Sequence, residues 1–158
     1  MNKREKAIRD FRTKFTITRA SENDDAEKVI QGYFALYEQE TELFDGVYEI
    51  ISKGAFDNTL NNDIRALWNH NTQYVLGRSK NGSLQLQTDE KGLFGTITLP
   101  NTQYANDLYE LVQRGDIDQC SFGFNINDEE IEELADGNYR WRINEIDLHE
   151  ISVVTFPA

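Results

Sequence analysis

The chain has 158 residues, of which 39% are hydrophobic, 11% aromatic and 28% charged, the composition of a folded domain rather than a disordered one. Two prolines and ten glycines exclude collagen-like or linker-like character, no apolar run approaches the ~20 residues of a membrane span, and the start MNKREKAIRDF lacks the apolar centre of a signal peptide. The single cysteine, Cys120, excludes an internal disulfide and a cysteine-based zinc site and points to a reducing, cytosolic compartment; with only two histidines, no metal centre is expected.

The net charge of −12 is unevenly spread: residues 1–20 carry seven Lys/Arg against two acids, and the remainder carries nine against twenty-six. So acidic a body repels phosphate backbones, which excludes nucleic acid as its partner. The basic start reads as a solvated, frayed tail, with contact to an acidic partner as the alternative. The expected organisation is a segment 1–28 holding the basic tail, a first strand and an acidic loop, followed by one globular domain over 29–158.

In chain order, strand-like stretches fall at 14–19 and 29–37, separated by the polar cluster 21–27. A short helix is expected over 54–60 with Ser52 as its cap. Further strands follow at 64–69, 83–88 and 93–99, with Asn81-Gly82 and Lys91-Gly92 as hairpin-turn chemistry. A well-marked helix begins at Thr102 and ends at Gly115, with Tyr104, Leu108, Leu111 and Val112 as its apolar stripe. Strands at 119–127, 139–144 and 146–156 complete the pattern. The charge run 128–133 reads as a solvated loop or short helix before the turn Asp136-Gly137-Asn138. Many short strands and two helices predict an α+β fold built on a mostly antiparallel β-barrel or curled sheet with flanking helices.

Three stretches hold residues able to do chemistry. His70 ends a strand and precedes the polar Asn71-Thr72-Gln73, where one ring nitrogen can face a substrate while a second group fixes the other. A surface or structural histidine is the plainer alternative. In 119–126, Cys120, Phe122, Phe124 and Ile126 share the core face of a regular strand, so Cys120 is a small buried hydrophobe. Ser121 lies on the opposite face, where Gly123 would leave open space above the backbone. An ordinary polar strand face competes with that reading. In 146–156, Glu150 falls on a face with Leu148, Ser152, Val154 and Phe156 and requires a partner there; a histidine is a natural one. His149 shares its face with Ile151 and Val153.

Taken together, Gly32-Tyr33, Gly54-Ala55-Phe56-Asp57, Trp68-Asn69-His70 with Gly77-Arg78, Arg114-Gly115, Ser121-Phe122-Gly123-Phe124 and the final run from Glu150 to Ala158 resemble the prohead (capsid-maturation) proteases of tailed bacteriophages. Those enzymes are similar in fold to the herpesvirus assemblins. The resemblance runs from about residue 30 to the end of the sequence and implies a serine endopeptidase that needs no cofactor or metal. On the matching positions Ser121 is the implied nucleophile, His70 the general base and Glu150 the third member. His149 is the alternative third member, because assemblins use a second histidine and the bulky aromatic usual before the glutamate is His149 here. Arg78 is a candidate to support the oxyanion, with a structural salt bridge as its alternative.

The implied setting is the interior of an immature prohead in the host cytoplasm. The implied substrates are the major capsid protein, its scaffold segment and the protease itself, and a homodimer is a candidate assembly. The family commonly continues beyond the position of Ala158, so a trimmed or self-processed form is expected. Two other readings compete: an inactive capsid-assembly or scaffold domain of the same fold, and a metal-dependent hydrolase using His70, His149 and a carboxylate.

Overall fold

A computed structural model describes residues 7–19, 21 and 26–156. The acidic cluster at 22–25, residues 1–6 and the last two residues lie outside it. The elements in chain order are β1 (Ala7–Arg12), β2 (Thr16–Arg19), β3 (Lys28–Leu36), β4 (Thr41–Phe44), β5 (Val47–Ile51), β6 (Arg65–Trp68), β7 (Asn71–Arg78), β8 (Leu84–Thr88), β9 (Gly92–Thr98), α1 (Gln103–Arg114), β10 (Gln119–Glu133) and β11 (Tyr139–Val154).

Two sheets form. The larger runs β1-β10-β11-β5-β4, with β6 joined to β11 and β7 to β6; the smaller runs β2-β3-β9-β8. Strand β11 is the axle of the larger sheet. It pairs antiparallel with β10 along its length, parallel with β5 through its first half and parallel with β6 through its second. The α+β assignment holds, but the expected barrel does not close, because no ladder passes from one sheet to the other among the described residues. Alternating apolar and polar residues report one buried face per strand, a condition that facing sheets and a closed barrel satisfy equally.

Phe34, Phe122, Phe124, Ile30, Ile97 and Leu108 fill the shared core. Cys120, Phe122, Phe124 and Ile126 all face it, as the alternation predicts. Helix α1 has the expected ends: the Thr102 hydroxyl accepts from the Ala105 N–H, and Gly115 closes the helix at φ +86°. Ala105, Leu108, Tyr109 and Val112 form its buried stripe, while Tyr104 and Leu111 cover the margin.

Two local expectations are corrected. Residues 54–60 are a chain of turns rather than a helix, with bonds from Asp57 N–H to Gly54 O and from Thr59 N–H to Phe56 O. The Ser52 hydroxyl bonds to Asn144 instead of capping. The acidic run 128–133 is neither loop nor helix but continues β10, paired opposite β11. Like charges are tolerated in that ladder because Arg140 and Arg142 both donate to Glu132, holding its carboxyl below the usual carboxylate value; the Arg140 hydrogen bond contributes most. Residues 7–12 also depart from the expected frayed tail, since β1 pairs along β10.

Candidate active site

Three separate segments meet on one face of the larger sheet. Ser121 lies on β10 directly opposite Ser152 of β11, and Gly123 lies opposite Glu150. His70 comes from the two-residue turn between β6 and β7, where Trp68 pairs with Asn71. Both turn residues sit in the left-handed region, Asn69 at φ +55° and His70 at φ +57°, as a tight hairpin turn of the primed type requires. That conformation is uncommon for histidine, so the turn must be held from outside. Strand β11 supplies the hold: Asn69 N–H donates to Val153 O at 2.9 Å, Thr155 N–H to Asn69 Oδ1 at 2.8 Å, and His70 N–H to Ser152 Oγ at 3.1 Å.

The side chains then form a series. His70 Nε2 lies 2.8 Å from Ser121 Oγ, and His70 Nδ1 is hydrogen-bonded to Glu150 Oε1. A carboxylate can only accept, so Nδ1 donates to Glu150, and in the neutral ring Nε2 is the nitrogen left to accept from the Ser121 hydroxyl. Glu150 Oε2 in turn accepts from Ser152 Oγ at 2.8 Å. Ser152 therefore accepts from the backbone of the histidine and donates to the carboxylate that holds its ring. The histidine side chain is 23% exposed and the glutamate 12%, whereas Ser121 and Ser152 are fully buried.

Gly123 has a different role from the one its sequence suggests. A Cβ built there would lie 2.7 Å from Glu150 Oε1, so the glycine makes room for the carboxylate, not for an incoming substrate. The strand faces also shift. Gly123 pairs with Glu150 but Phe124 pairs with Leu148, which leaves His149 as the extra residue of a β-bulge. The bulge sends both Leu148 and Ile151 into the core and separates Leu148 from the face of Glu150, against the simple alternation.

The structure thus brings Ser121, His70 and Glu150 together, with Glu150 on the histidine and His149 in the bulge. Arg78 has an acidic partner of its own: its guanidinium makes two bonds to Asp63, at 2.7 and 2.5 Å, and holds that carboxyl below its usual value. Cys120 donates to Tyr33 O at 3.4 Å, and burial pushes its thiol well above the usual value, with Asp10 adding to the shift. No group of three or more His, Cys, Asp and Glu is arranged to hold a metal ion among the described residues. The sequence places Ser152 beside Glu150 but does not show its hydrogen bonds to Glu150 and the His70 N–H, nor the carboxylate-accommodating role of Gly123. The spacing Glu150-x-Ser152 on one strand, opposite Gly123 and Ser121, was the available signal, though it is intelligible only in register.

A serine hydroxyl, an imidazole and a carboxylate in hydrogen-bonded succession, on two strands and the hairpin turn braced against them, is the arrangement of the serine hydrolases. The family profile described as "Caudovirus prohead serine protease" matches residues 14–158. The chain belongs to that family. It is 36% identical over 133 residues to the prohead protease of Enterobacteria phage HK97, an alignment covering 81% of this chain and 56% of that relative, so the chain spans little more than half its length. In fold it is similar to the capsid assembly protease of bacteriophage T4, with a TM-score of 0.61, 10% identity, and coverage of 94% of this chain and 96% of that one.

Proposed function

We propose that the protein is a serine endopeptidase of capsid maturation, with Ser121 as nucleophile, His70 as general base and Glu150 as the carboxylate that orients it. The observation that carries this reading is the contact of both imidazole nitrogens at once, Nε2 at 2.8 Å from Ser121 Oγ and Nδ1 on Glu150. In the first step Ser121 Oγ forms a bond to the scissile carbonyl carbon as its proton passes to His70 Nε2. Glu150, already bonded at Nδ1, stabilises the resulting imidazolium. His70 then delivers that proton to the leaving amine, the C–N bond breaks and an acyl-serine remains. Water, deprotonated by the same nitrogen, releases the new carboxyl terminus and restores the hydroxyl.

The substrates that fit family membership are the major capsid protein with its scaffold segment, and the protease chain itself, inside an immature prohead in the host cytoplasm. Confinement raises the local concentration of substrate, which allows a weak enzyme to suffice. The test is co-expression with the capsid precursor encoded beside it, comparing wild type with Ser121→Ala by intact mass and N-terminal sequencing. A capsid protein shortened by wild type alone supports the reading. Assembled shells holding uncleaved precursor with both chains would shift the assignment to an inactive assembly domain.

A further inference from the structure

Among the described residues five strands end a sheet: β1, β4 and β7 in the larger, β2 and β8 in the smaller. An edge strand presents backbone N–H and C=O groups that any extended chain can bond, and proteins blunt such edges with charged side chains or short length. Four of the five are blunted in this way. β1 carries Arg9, Asp10 and Arg12, and β7 ends in Arg78; β2 and β4 are four residues long and carry Arg19 and Glu42. β8, Leu84-Gln85-Leu86-Gln87-Thr88, holds no charged residue, in a chain of which 28% is charged.

The strand is sorted by alternation. Leu84 is buried and Leu86 packs against the core, while Gln85 and Gln87 stand exposed on the opposite face. The acidic residues that follow it are engaged within the chain. Asp89 accepts from the Tyr33 hydroxyl and from the N–H groups of Lys91 and Gly92, and Glu90 is paired with Lys53.

Electrostatics limits what can join this edge. Each chain carries a net charge of −12, so two copies repel where they meet through charged surface. At β8 they meet through none. Antiparallel pairing of β8 with the same strand of a second copy, centred on Leu86, uses all five residues. It places Leu86 opposite itself, Leu84 opposite Thr88, and Gln85 opposite Gln87. The apolar face then runs across the joint, two pairs of amides face solvent, and two four-stranded sheets become one of eight strands. Because the contact is two-fold, it closes and leaves neither edge open.

We propose that β8 is a homodimer interface, at which two copies join their smaller sheets antiparallel in the register centred on Leu86. One strand edge is a small contact, so the dimer is weak and depends on concentration. The inference does not rest on the serine-peptidase reading, since Ser121 and Glu150 lie on strands of the larger sheet and His70 on a turn of it.

The test uses the full chain. Sedimentation velocity from about 5 to about 500 μM reads the mass, and hydrogen exchange at both ends of that range locates the contact. Two double variants change only the exposed glutamines: Gln85→Lys with Gln87→Lys, and Gln85→Lys with Gln87→Glu. In the proposed register the first sets lysine opposite lysine twice, and the second sets lysine opposite glutamate twice. Wild type should approach twice the chain mass as the amides of 84–88 gain protection. The lysine–lysine variant should raise the dissociation constant at least about tenfold, and the lysine–glutamate variant should stay within about threefold of wild type.

A wild type that keeps the monomer mass throughout overturns the proposal, as does a dimer whose new protection falls outside 84–88. Equal dissociation constants for the two variants, with thermal melts showing both folded, overturn the register. Species larger than a dimer overturn the closed pair. If a variant does not fold, the wild-type mass and exchange decide by themselves.

Discussion

Replacing Gly123 by alanine isolates the carboxylate from everything else in the site. Gly123 has no left-handed φ, so alanine is not strained there by its backbone and should stabilise the chain slightly by restricting the unfolded state. The new methyl would lie 2.7 Å from Glu150 Oε1, 3.4 Å from Cδ and 3.5 Å from Cγ, so only the tip of a flexible side chain is in conflict. An ordinary carbon–oxygen contact is about 3.3 Å or more, which requires the oxygen to retreat by roughly 0.6 Å. That oxygen is the one bonded to His70 Nδ1. Misplacement on this scale in a preorganised site lowers the rate by roughly 10- to 100-fold. The assay is single-turnover cleavage of the capsid precursor, or the rate of fluorophosphonate capture by Ser121, beside a thermal melt. Gly123→Ala should lose activity with an unchanged or slightly raised Tm. In a Glu150→Ala background the same substitution should cost less than about twofold, because the conflict has gone. Full activity in the single variant, or an undiminished loss in the Glu150→Ala background, would refute the argument that Gly123 acts through the carboxylate.

Three other outcomes are expected. Ser152→Ala removes the hydrogen bond to Glu150 Oε2 and the acceptor for His70 N–H, so kcat should fall about tenfold, with a stability loss of about 1–3 kcal/mol read from urea unfolding. Cys120 should resist Ellman's reagent at pH 8 in the folded chain and react fully in denaturant, because burial keeps it in the thiol form. Asp63 has its folded pKa lowered from 3.8, first by the Arg78 hydrogen bond, so its contribution is present above that value and is lost as the pH falls through the lower folded one. Asp63→Asn should therefore lower stability slightly above about pH 4, where the pair contributes, and flatten the acid limb below it, both effects being small because the pair is exposed.

The elements legible in the sequence were those whose pattern is local. The Thr102-to-Gly115 helix carries its own cap, stripe and stop, and the alternation through Cys120, Phe122, Phe124 and Ile126 reports a buried face whatever the partner strands are. Strands β4 and β5 were overlooked although Asp45-Gly46 between Phe44 and Val47 is hairpin chemistry. β7 was overlooked because its first four residues are polar and exposed. The acidic stretch 128–133 was misread because its compensation, Arg140 and Arg142, arrives from across a hairpin. At the site, the residue types alone leave a plainer alternative at each position, and it is the resemblance to the prohead proteases that singles out Ser121, His70 and Glu150. Their joining depends on facts no single strand states: a bulge at His149, a left-handed turn at His70, and a register that sets Gly123 under the carboxylate.

The position of β11 in the chain also orders events in time. His70 stands on its turn because β6 lies parallel to β11, and both Glu150 and the serine that receives the His70 N–H belong to β11. During synthesis the chain emerges from its beginning, so Ser121 and His70 leave the ribosome before residues 139–154 do. A nascent chain is for that interval without the carboxylate and without the strand that holds the histidine turn. Closing the pairing of β6 with β11 joins segments about 85 residues apart, the kind of non-local contact that forms slowly. The candidate site is thus incomplete while the chain is being made, a delay written into the order of its strands.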